Sequence, residues 1–68
     1  MKISARNILK GKIVDVTKGA TTAHVKIEVG GIIVTSSITN TSVDDLKLAA
    51  GKQADAAIKA SDVMIGFD

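Results

Sequence analysis

The sequence has no cysteine, proline, tryptophan or tyrosine, and it has one phenylalanine and one histidine among 68 residues. A domain of this length buries only about 60% of the surface that its unfolded chain exposes, so its own stability is marginal. Small domains usually gain stability from disulfides, a structural metal or subunit contacts. Because cysteine is absent and histidine scarce, subunit contacts are the support that remains, and we expect an oligomer.

The excess of positive over negative charge is also small. Nine Lys and Arg residues oppose seven Asp and Glu residues, which gives a formal net charge of +2. The cations are scattered along the chain, so their summed field favours an anionic partner only weakly. No apolar stretch has the length of a signal peptide or of a membrane span. We therefore expect a cytoplasmic protein without a membrane partner.

The missing side chains argue against two classes of function. Catalysis needs a tuned base beside a nucleophile, and His24, on the polar face of a predicted strand, is the one candidate base. Metal binding lacks ligands for the same reason. Base stacking on aromatic side chains contributes about 1–3 kcal/mol per base in domains that bind single strands, and Phe67 is the one aromatic residue. We expect neither an enzyme nor a nucleic-acid partner.

The first part of the chain predicts a strand and a turn. Residues 8–16 are rich in β-branched side chains and predict the first strand, with a bulge or a sharp bend at Gly11. Residues 17–21 predict a turn, in which we expect Gly19 to have a positive φ angle.

A second strand and a hairpin follow. Ala23, Val25, Ile27 and Val29 alternate with polar residues, which predicts a strand with one buried face. The pair Gly30-Gly31 is typical of a two-residue hairpin turn leading into a third strand at residues 32–38.

A short helix and one or two strands complete the predicted fold. Residues 43–48 predict a helix that ends at Gly51, with Asp44 and Asp45 in its first turn. Alternation predicts a fourth strand at residues 53–59, and residues 63–67 supply either a final strand or a segment that docks on another subunit. This order matches an all-β fold, a small five-stranded OB-like barrel with one short helix between strands three and four.

Two separated stretches have the composition of an oxyanion site. Ser4-Ala5-Arg6-Asn7 and Lys59-Ala60-Ser61 each combine a cation, a hydroxyl and a small residue. A tetrahedral dianion is bound by a few converging donors: a guanidinium, an ammonium, hydroxyls and backbone amides. Hydroxyls at the entry to the predicted helix add to these donors. The candidate residues are Ser4, Ala5, Arg6, Thr39, Ser42, Lys59, Ala60 and Ser61. Purely structural roles, such as helix capping by Ser42, stay open.

The same residues carry a family likeness. Ser4-Ala5-Arg6-Asn7, Leu9-Lys10-Gly11, Ile38-Thr39 before Ser42, and the run from Ile58 to Met64 closely resemble the small molybdate-binding proteins called molbindins. The likeness covers nearly the whole chain, so residues 1–68 resemble a single Mop or TOBE domain.

The resemblance implies a function and an assembly. It implies molybdate or tungstate as a bound ligand without covalent chemistry, for storage, buffering or homeostasis, in a homohexamer built as a trimer of dimers. Ser4, Ala5 and Arg6 would come from one subunit, and the other candidate residues from its neighbour. It also implies a second oxyanion site near the symmetry axes of the assembly. The residues we place there are Lys18, Gly19, Ala20, Thr21 and His24.

Two hypotheses from other classes stay open at this stage. One is an OB module that binds single-stranded nucleic acid, and the other is a purely structural oligomerisation domain. The choice between molybdate and tungstate is also open.

Overall fold

Four antiparallel strands and one short α-helix make up the fold in a computed structural model that describes residues 2–68. The elements are β1 (Asn7–Lys18), β2 (Thr22–Val29), β3 (Ile32–Thr39), α1 (Asn40–Asp45) and β4 (Gln53–Ile58), followed by a 3-10 helix (Ala60–Asp62). The strand order is β3-β2-β1-β4. The predicted all-β, OB-like architecture with a helix between strands three and four is confirmed.

The predicted fifth strand does not form within residues 2–68. After Ile58 the chain makes the 3-10 helix and continues through residues 63–68 without pairing to the sheet. The described sheet therefore has four strands, and β3 and β4 are its two edges.

The core lies on the inward face of β2. Ala23, Val25 and Ile27 are at most 5% exposed, as the alternation predicted. Ile13 from β1 and Val43 from α1 pack against them. Each buried side chain is aliphatic, so the core is thin and has no large ring to fill it.

A bulge in β1 lets both halves of this strand face the core. Ile13 pairs with Ile27, whereas Asp15 already pairs with Lys26, so Val14 is the extra residue. Side chains alternate along a strand, so this insertion switches the inward positions from odd to even numbers. Ile13 and Val16 consequently both face inward, while Val14 is 45% exposed. The prediction of a bulge or bend at Gly11 was wrong in position.

Gly11 is required instead by a close approach of β1 to β2. A Cβ atom at this position would lie 2.5 Å from the Glu28 carbonyl oxygen and 2.6 Å from Ile27 Cγ2. Only glycine fits without a shift of backbone or buried side chains.

The glycine pair in the predicted hairpin turn has the expected positive φ angles, whereas Gly19 does not. Gly30 and Gly31 have φ angles of 56° and 91° and join β2 to β3, as predicted for a hairpin with two positive φ angles. The prediction of a positive φ at Gly19 was wrong. β1 continues to Lys18, two residues beyond the predicted end of the strand. The turn to β2 is closed by the Gly19 amide, which donates to the Thr22 carbonyl at 2.7 Å.

The helix begins three residues earlier than predicted. α1 starts after Thr39, so Asp44 and Asp45 lie in its last turn and not in its first. The prediction included Leu46 and Leu48 in the helix, but α1 ends at Asp45, and Lys47 has a positive φ angle of 53°. Gly51, with φ 94°, belongs to the turn that enters β4.

We expect the substitution Gly11→Ala to destabilise the domain by about 1–3 kcal/mol, the usual cost of forcing extra atoms into a packed site. Urea unfolding followed by circular dichroism measures the change. Lys10→Ala, one residue earlier on the exposed face, is the matched control and should change stability by less than about 0.5 kcal/mol. Equal midpoints for the two variants would contradict the close approach of β1 to β2.

Candidate functional site

The pairing of β1 with β4 brings two of the predicted stretches together. Asn7, the first residue of β1, lies opposite Ile58, the last residue of β4. The Asn7 Nδ2 group also donates to the Ile58 carbonyl at 3.2 Å. Residues 4–6, which precede β1, and residues 59–61, which follow β4, therefore lie at the same end of the sheet. We call Ser4, Ala5, Arg6, Lys59, Ala60 and Ser61 the Arg6–Lys59 cluster.

The local backbone of this cluster presents amides as well as side chains. Lys59 precedes the 3-10 helix in an extended conformation, with φ −63° and ψ 142°. Its carbonyl accepts from the Asp62 amide at 2.9 Å. The amides of Ala60 and Ser61 open this turn, where no earlier carbonyl of the turn is available to them. Asp62 is the one acidic residue of the turn.

The cluster is open to solvent in the single chain. Arg6, Lys59 and both serines are exposed, and only Ala5 is half-buried. Water screens exposed charges strongly, so their interaction with an anion is weak until water is excluded. A tight site at this position therefore requires a covering surface.

Thr39 and Ser42 lie at the other end of the sheet. Thr39 pairs with Thr22 at the start of β2, and Ala23 pairs with Lys18 at the end of β1. The Arg6–Lys59 cluster, by contrast, lies at the beginning of β1. One chain does not bring these hydroxyls to the cluster, so a site that contains all eight candidate residues needs more than one copy.

The two hydroxyls already have a structural role. Thr39 is the N-cap of α1, and its Oγ1 atom accepts from the Ser42 amide at 3.0 Å. The Thr39 hydroxyl donates to Ser42 Oγ at 2.9 Å. The Ser42 hydroxyl keeps its own proton for a further acceptor. The residue that caps the helix is thus Thr39, and Ser42 supplies the capped amide.

Part of the second predicted site lines a surface cleft of about 300 Å³. Lys18, Gly19 and His24 contribute to it, together with Thr17 and Thr22. The sequence analysis did not include these two threonines in the site. Aligning the first two predicted strands as an antiparallel pair could have pointed to Thr17, because it lies opposite His24. Ala20 and Thr21 do not line the cleft.

The cation of this cleft is held by a carboxylate. Lys18 Nζ lies 2.5 Å from Asp44 Oδ1, and both side chains are partly exposed. The neighbouring Asn40 side chain donates to the Gly19 carbonyl at 3.0 Å. An anion in this cleft would therefore compete with Asp44 for Lys18.

The hydrogen-bond donors of the Arg6–Lys59 cluster and of the cleft beside Lys18 suit an anion and not a cation. Guanidinium and ammonium groups donate hydrogen bonds but accept none. Within residues 2–68 no group of three His, Cys, Asp or Glu side chains is arranged to hold a metal ion. No helix in the described part of the chain is long and apolar enough to cross a membrane.

Comparisons with known proteins show the family to which the chain belongs. Residues 3–65 match the TOBE domain family. The chain is 53% identical over 66 residues to molybdenum-pterin-binding protein 3 of Clostridium pasteurianum, which covers 96% of this chain and 97% of that protein. A molybdate-binding protein from Sporomusa ovata has a TM-score of 0.93 at 33% identity, covering 98% of this chain and 100% of that one. The molybdate-bound structure of the cytoplasmic protein ModG has a TM-score of 0.89 at 42% identity, covering 94% of this chain and 46% of that one.

We expect Thr39→Val to lower the free energy of unfolding by about 1 kcal/mol, because it removes the acceptor of the Ser42 amide. Thermal unfolding without added anion measures this effect. Thr41→Val, at an exposed position of α1, is the control for introducing a β-branched apolar side chain. A Thr39→Val variant as stable as Thr41→Val would show that the cap contributes nothing.

Proposed function

Because this chain belongs to the molbindin (Mop) family of TOBE domain proteins, we propose that it binds molybdate reversibly, for storage, buffering or homeostasis. The observation that supports the proposal is the pairing of Asn7 with Ile58, since Arg6 precedes Asn7 and Lys59 follows Ile58 at the same end of the sheet. The Sporomusa ovata relative is described as a molybdate-binding protein, and the ModG structure contains molybdate.

The Arg6–Lys59 cluster has the chemistry that a tetrahedral dianion needs. Arg6 offers a planar fork of donors, and Lys59 offers a mobile point charge. Ser4 and Ser61 add hydroxyl donors, and the small side chains of Ala5 and Ala60 let backbone amides approach the anion. A dianion also offsets the repulsion between the two cations. Binding of this kind forms no covalent bond and needs no catalytic base.

The proposed site lies between subunits of a homohexamer arranged as a trimer of dimers. Support comes from the exposure of the cluster, which one chain leaves in water, and from the thin aliphatic core, which makes a single copy marginally stable. Thr39 and Ser42 would complete the site from a different copy than the one supplying Lys59, because a single chain holds them at opposite ends of β1. This division differs from the predicted one, which took Thr39, Ser42 and Lys59 from the same neighbour.

A second oxyanion site is proposed at the cleft beside Lys18. Gly19 and His24 line this cleft with two threonines, so a cation and several further donors face one volume of about 300 Å³. Ala20 and Thr21 belong to the connection beside it. An anion bound in this cleft would share the Lys18 ammonium group with Asp44.

Three finer assignments belong to the same proposal. Tungstate is expected to bind in the same sites, because it has the charge and tetrahedral shape of molybdate. No enzymatic step is proposed, in keeping with relatives that are named as binding proteins. A cytoplasmic location is proposed from the description of ModG as a cytoplasmic protein.

The alternative functions have less support. A domain that binds single strands would use stacking aromatic side chains, but Phe67 is the one aromatic residue and it lies outside the sheet. A purely structural oligomerisation domain does not account for two cations brought to one end of the sheet. Equilibrium dialysis against molybdate separates this last alternative from the proposed function, because a structural domain takes up no anion.

We expect Arg6→Ala and Lys59→Ala each to weaken molybdate binding roughly 10- to 100-fold, since a hydrogen bond to a charged group contributes about 1.5–3 kcal/mol. Isothermal titration calorimetry measures the affinity, and circular dichroism checks the fold. Lys26→Ala removes an exposed cation from the middle of β2 and serves as the control for net charge.

The variant Arg6→Lys tests geometry apart from charge. It keeps the cation but loses the fork of donors, and we expect it to bind more weakly than the unmodified protein. Unchanged affinity in Arg6→Ala and Lys59→Ala would refute the assignment of the cluster.

For the second site, we expect Lys18→Ala to lower the number of molybdate ions bound per chain while the affinity of the remaining sites is kept. Asp44→Ala is the matched control, because it breaks the same ion pair but leaves the cation, and it should bind at least as much anion. Calorimetry combined with molybdenum analysis gives the stoichiometry. The second site would be ruled out if the two variants bound equal amounts.

A further inference from the structure

A cleft of about 260 Å³ opens on the outward face of the sheet, beside the hairpin that joins β2 to β3. The residues that line it come from β1, β2, β4 and the hairpin turn, and they are Lys10, Gly11, Lys12, Glu28, Gly30 and Gln53. None of them belongs to the Arg6–Lys59 cluster or to the cleft beside Lys18. This cleft is therefore separate from both proposed oxyanion sites.

The cleft forms where β1 parts from β2. The pairing of these two strands begins at Lys12 and Glu28, whereas the pairing of β1 with β4 begins earlier in the strand. The amide and carbonyl of Ile13 bond to residues 51–52, on the β4 side. Because main-chain groups of a strand point alternately to its two sides, those of Lys10 point towards β2. The Lys10 amide and carbonyl therefore lie at the cleft, beyond the β1–β2 ladder.

Two glycines keep the cleft open. Gly30 has a positive φ angle, and a Cβ atom there would meet nothing within 4 Å. The hydrogen bond of a β-turn joins its first and fourth residues, so it does not use the amide of Gly30, the second residue of this turn. Gly11 places no side chain between the two lysines that flank it. Main-chain groups as well as side chains are consequently accessible to a ligand.

The two cations of the cleft are not neutralised by ion pairs. Lys10 and Lys12 lie about 7 Å apart along one face of β1 and form no ion pair with the acidic side chains of residues 2–68. The Glu28 carboxylate, opposite Lys12, instead accepts from the Gly31 amide at 2.8 Å. Asp55, opposite Lys10, does not line the cleft. An anion bound between the two ammonium groups would offset their mutual repulsion.

The cleft offers acceptors as well as donors. Glu28 has a second carboxylate oxygen besides the one that bonds to the turn, and the Gln53 amide both donates and accepts. A fully deprotonated tetrahedral anion has no proton to give to such acceptors. A phosphate group has one, because its second pKa of about 6 keeps part of it singly protonated near neutral pH. Two cations beside a proton acceptor therefore favour a phosphate group.

We propose that this cleft binds a phosphate group, either as inorganic phosphate or at the end of a small phosphate monoester. The ammonium groups of Lys10 and Lys12 bind its charged oxygens. Gln53 and the Gly30 amide donate to it, and Glu28 accepts its proton. A volume of about 260 Å³ holds a phosphate group with a few water molecules of about 30 Å³ each. The body of a larger ester extends into solvent.

The exposure of the cleft sets the expected affinity. Both lysines and Gln53 are exposed, and exposed ion pairs are weak because water and salt screen them. We expect a dissociation constant on the order of 1 mM, which rises with ionic strength.

The experiment is a titration of the full chain with inorganic phosphate, followed by heteronuclear NMR at the amides of Gly11 and Gly30. Molybdate is added beforehand, so that phosphate does not report on the proposed oxyanion sites. We expect both amides to shift along a saturable curve. Lys10→Gln combined with Lys12→Gln should weaken the binding at least about 10-fold, since each exposed ion pair contributes up to about fivefold. Absence of a saturable shift in the unmodified protein would overturn the proposal.

A matched double variant separates the cleft from net charge. Lys26→Gln combined with Lys47→Gln removes the same charge from two exposed positions that do not line the cleft. We expect it to bind phosphate as the unmodified protein does, with the fold of both variants checked by circular dichroism. An equal loss in the two double variants would refute the site. Failure of the phosphate site leaves molybdate binding untouched, because the two use different residues.

Sulfate tests the role of Glu28, because it carries no proton at neutral pH. We expect sulfate to bind more weakly than phosphate, and Glu28→Gln, which keeps an acceptor for the Gly31 amide, should reduce this preference. Equal affinities for the two anions in the unmodified protein, or a preference unchanged in Glu28→Gln, would contradict the proposed recognition. Glycerol 3-phosphate distinguishes the two sources of the phosphate group. Tighter binding than inorganic phosphate identifies a monoester, and weaker or equal binding identifies the free anion.

Discussion

The double pairing of β1 is the interaction on which the rest of the structure depends. This strand is hydrogen-bonded to β4 along its first half and to β2 along its second half. The bulge at Val14 lies between the two halves and turns Ile13 and Val16 to the same core. Gly11 lets β1 lie against β2 without a side chain between them. Core, sheet order and the position of both candidate sites all follow from this strand.

The same strand separates the charged groups into two places. Arg6 precedes its first residue at the end of the sheet where Lys59 follows β4, and its last residue, Lys18, pairs with Asp44 of α1. Neither place is enclosed, because 68 residues with an aliphatic core do not surround a volume large enough for a buried anion. In the proposed assembly, contacts between copies supply both the missing stability and the missing enclosure. Binding of the anion would then stabilise the assembly by linkage, and the assembly would in turn favour binding.

Local patterns in the sequence predicted the strands well and the helix less well. The alternation in β2 and the glycine pair before β3 are short-range signals that need no tertiary partner. The helix boundary was predicted three residues late: Leu46 and Leu48 were placed in the helix, but both follow its end at Asp45, and Leu48 packs against the core from outside the helix. Gly11 and Gly19 were misread for a related reason. A glycine marks an unusual position, but whether it serves a turn, a bulge or a close approach depends on what faces it.

The sequence by itself determined the alternation of the strands, the turn at the glycine pair, the family likeness and the kinds of donor at residues 4–6 and 59–61, because these properties reside in neighbouring residues. Only the tertiary structure decided which stretches meet. The register of β1 with β4 pairs Asn7 with Ile58 and so brings residues 4–6 and 59–61 to one end of the sheet, while the register of β2 with β3 carries Thr39 and Ser42 to the opposite end. Strand register is fixed by packing of the whole inward face against its partners, so residues more than 50 positions apart become neighbours only in the folded sheet.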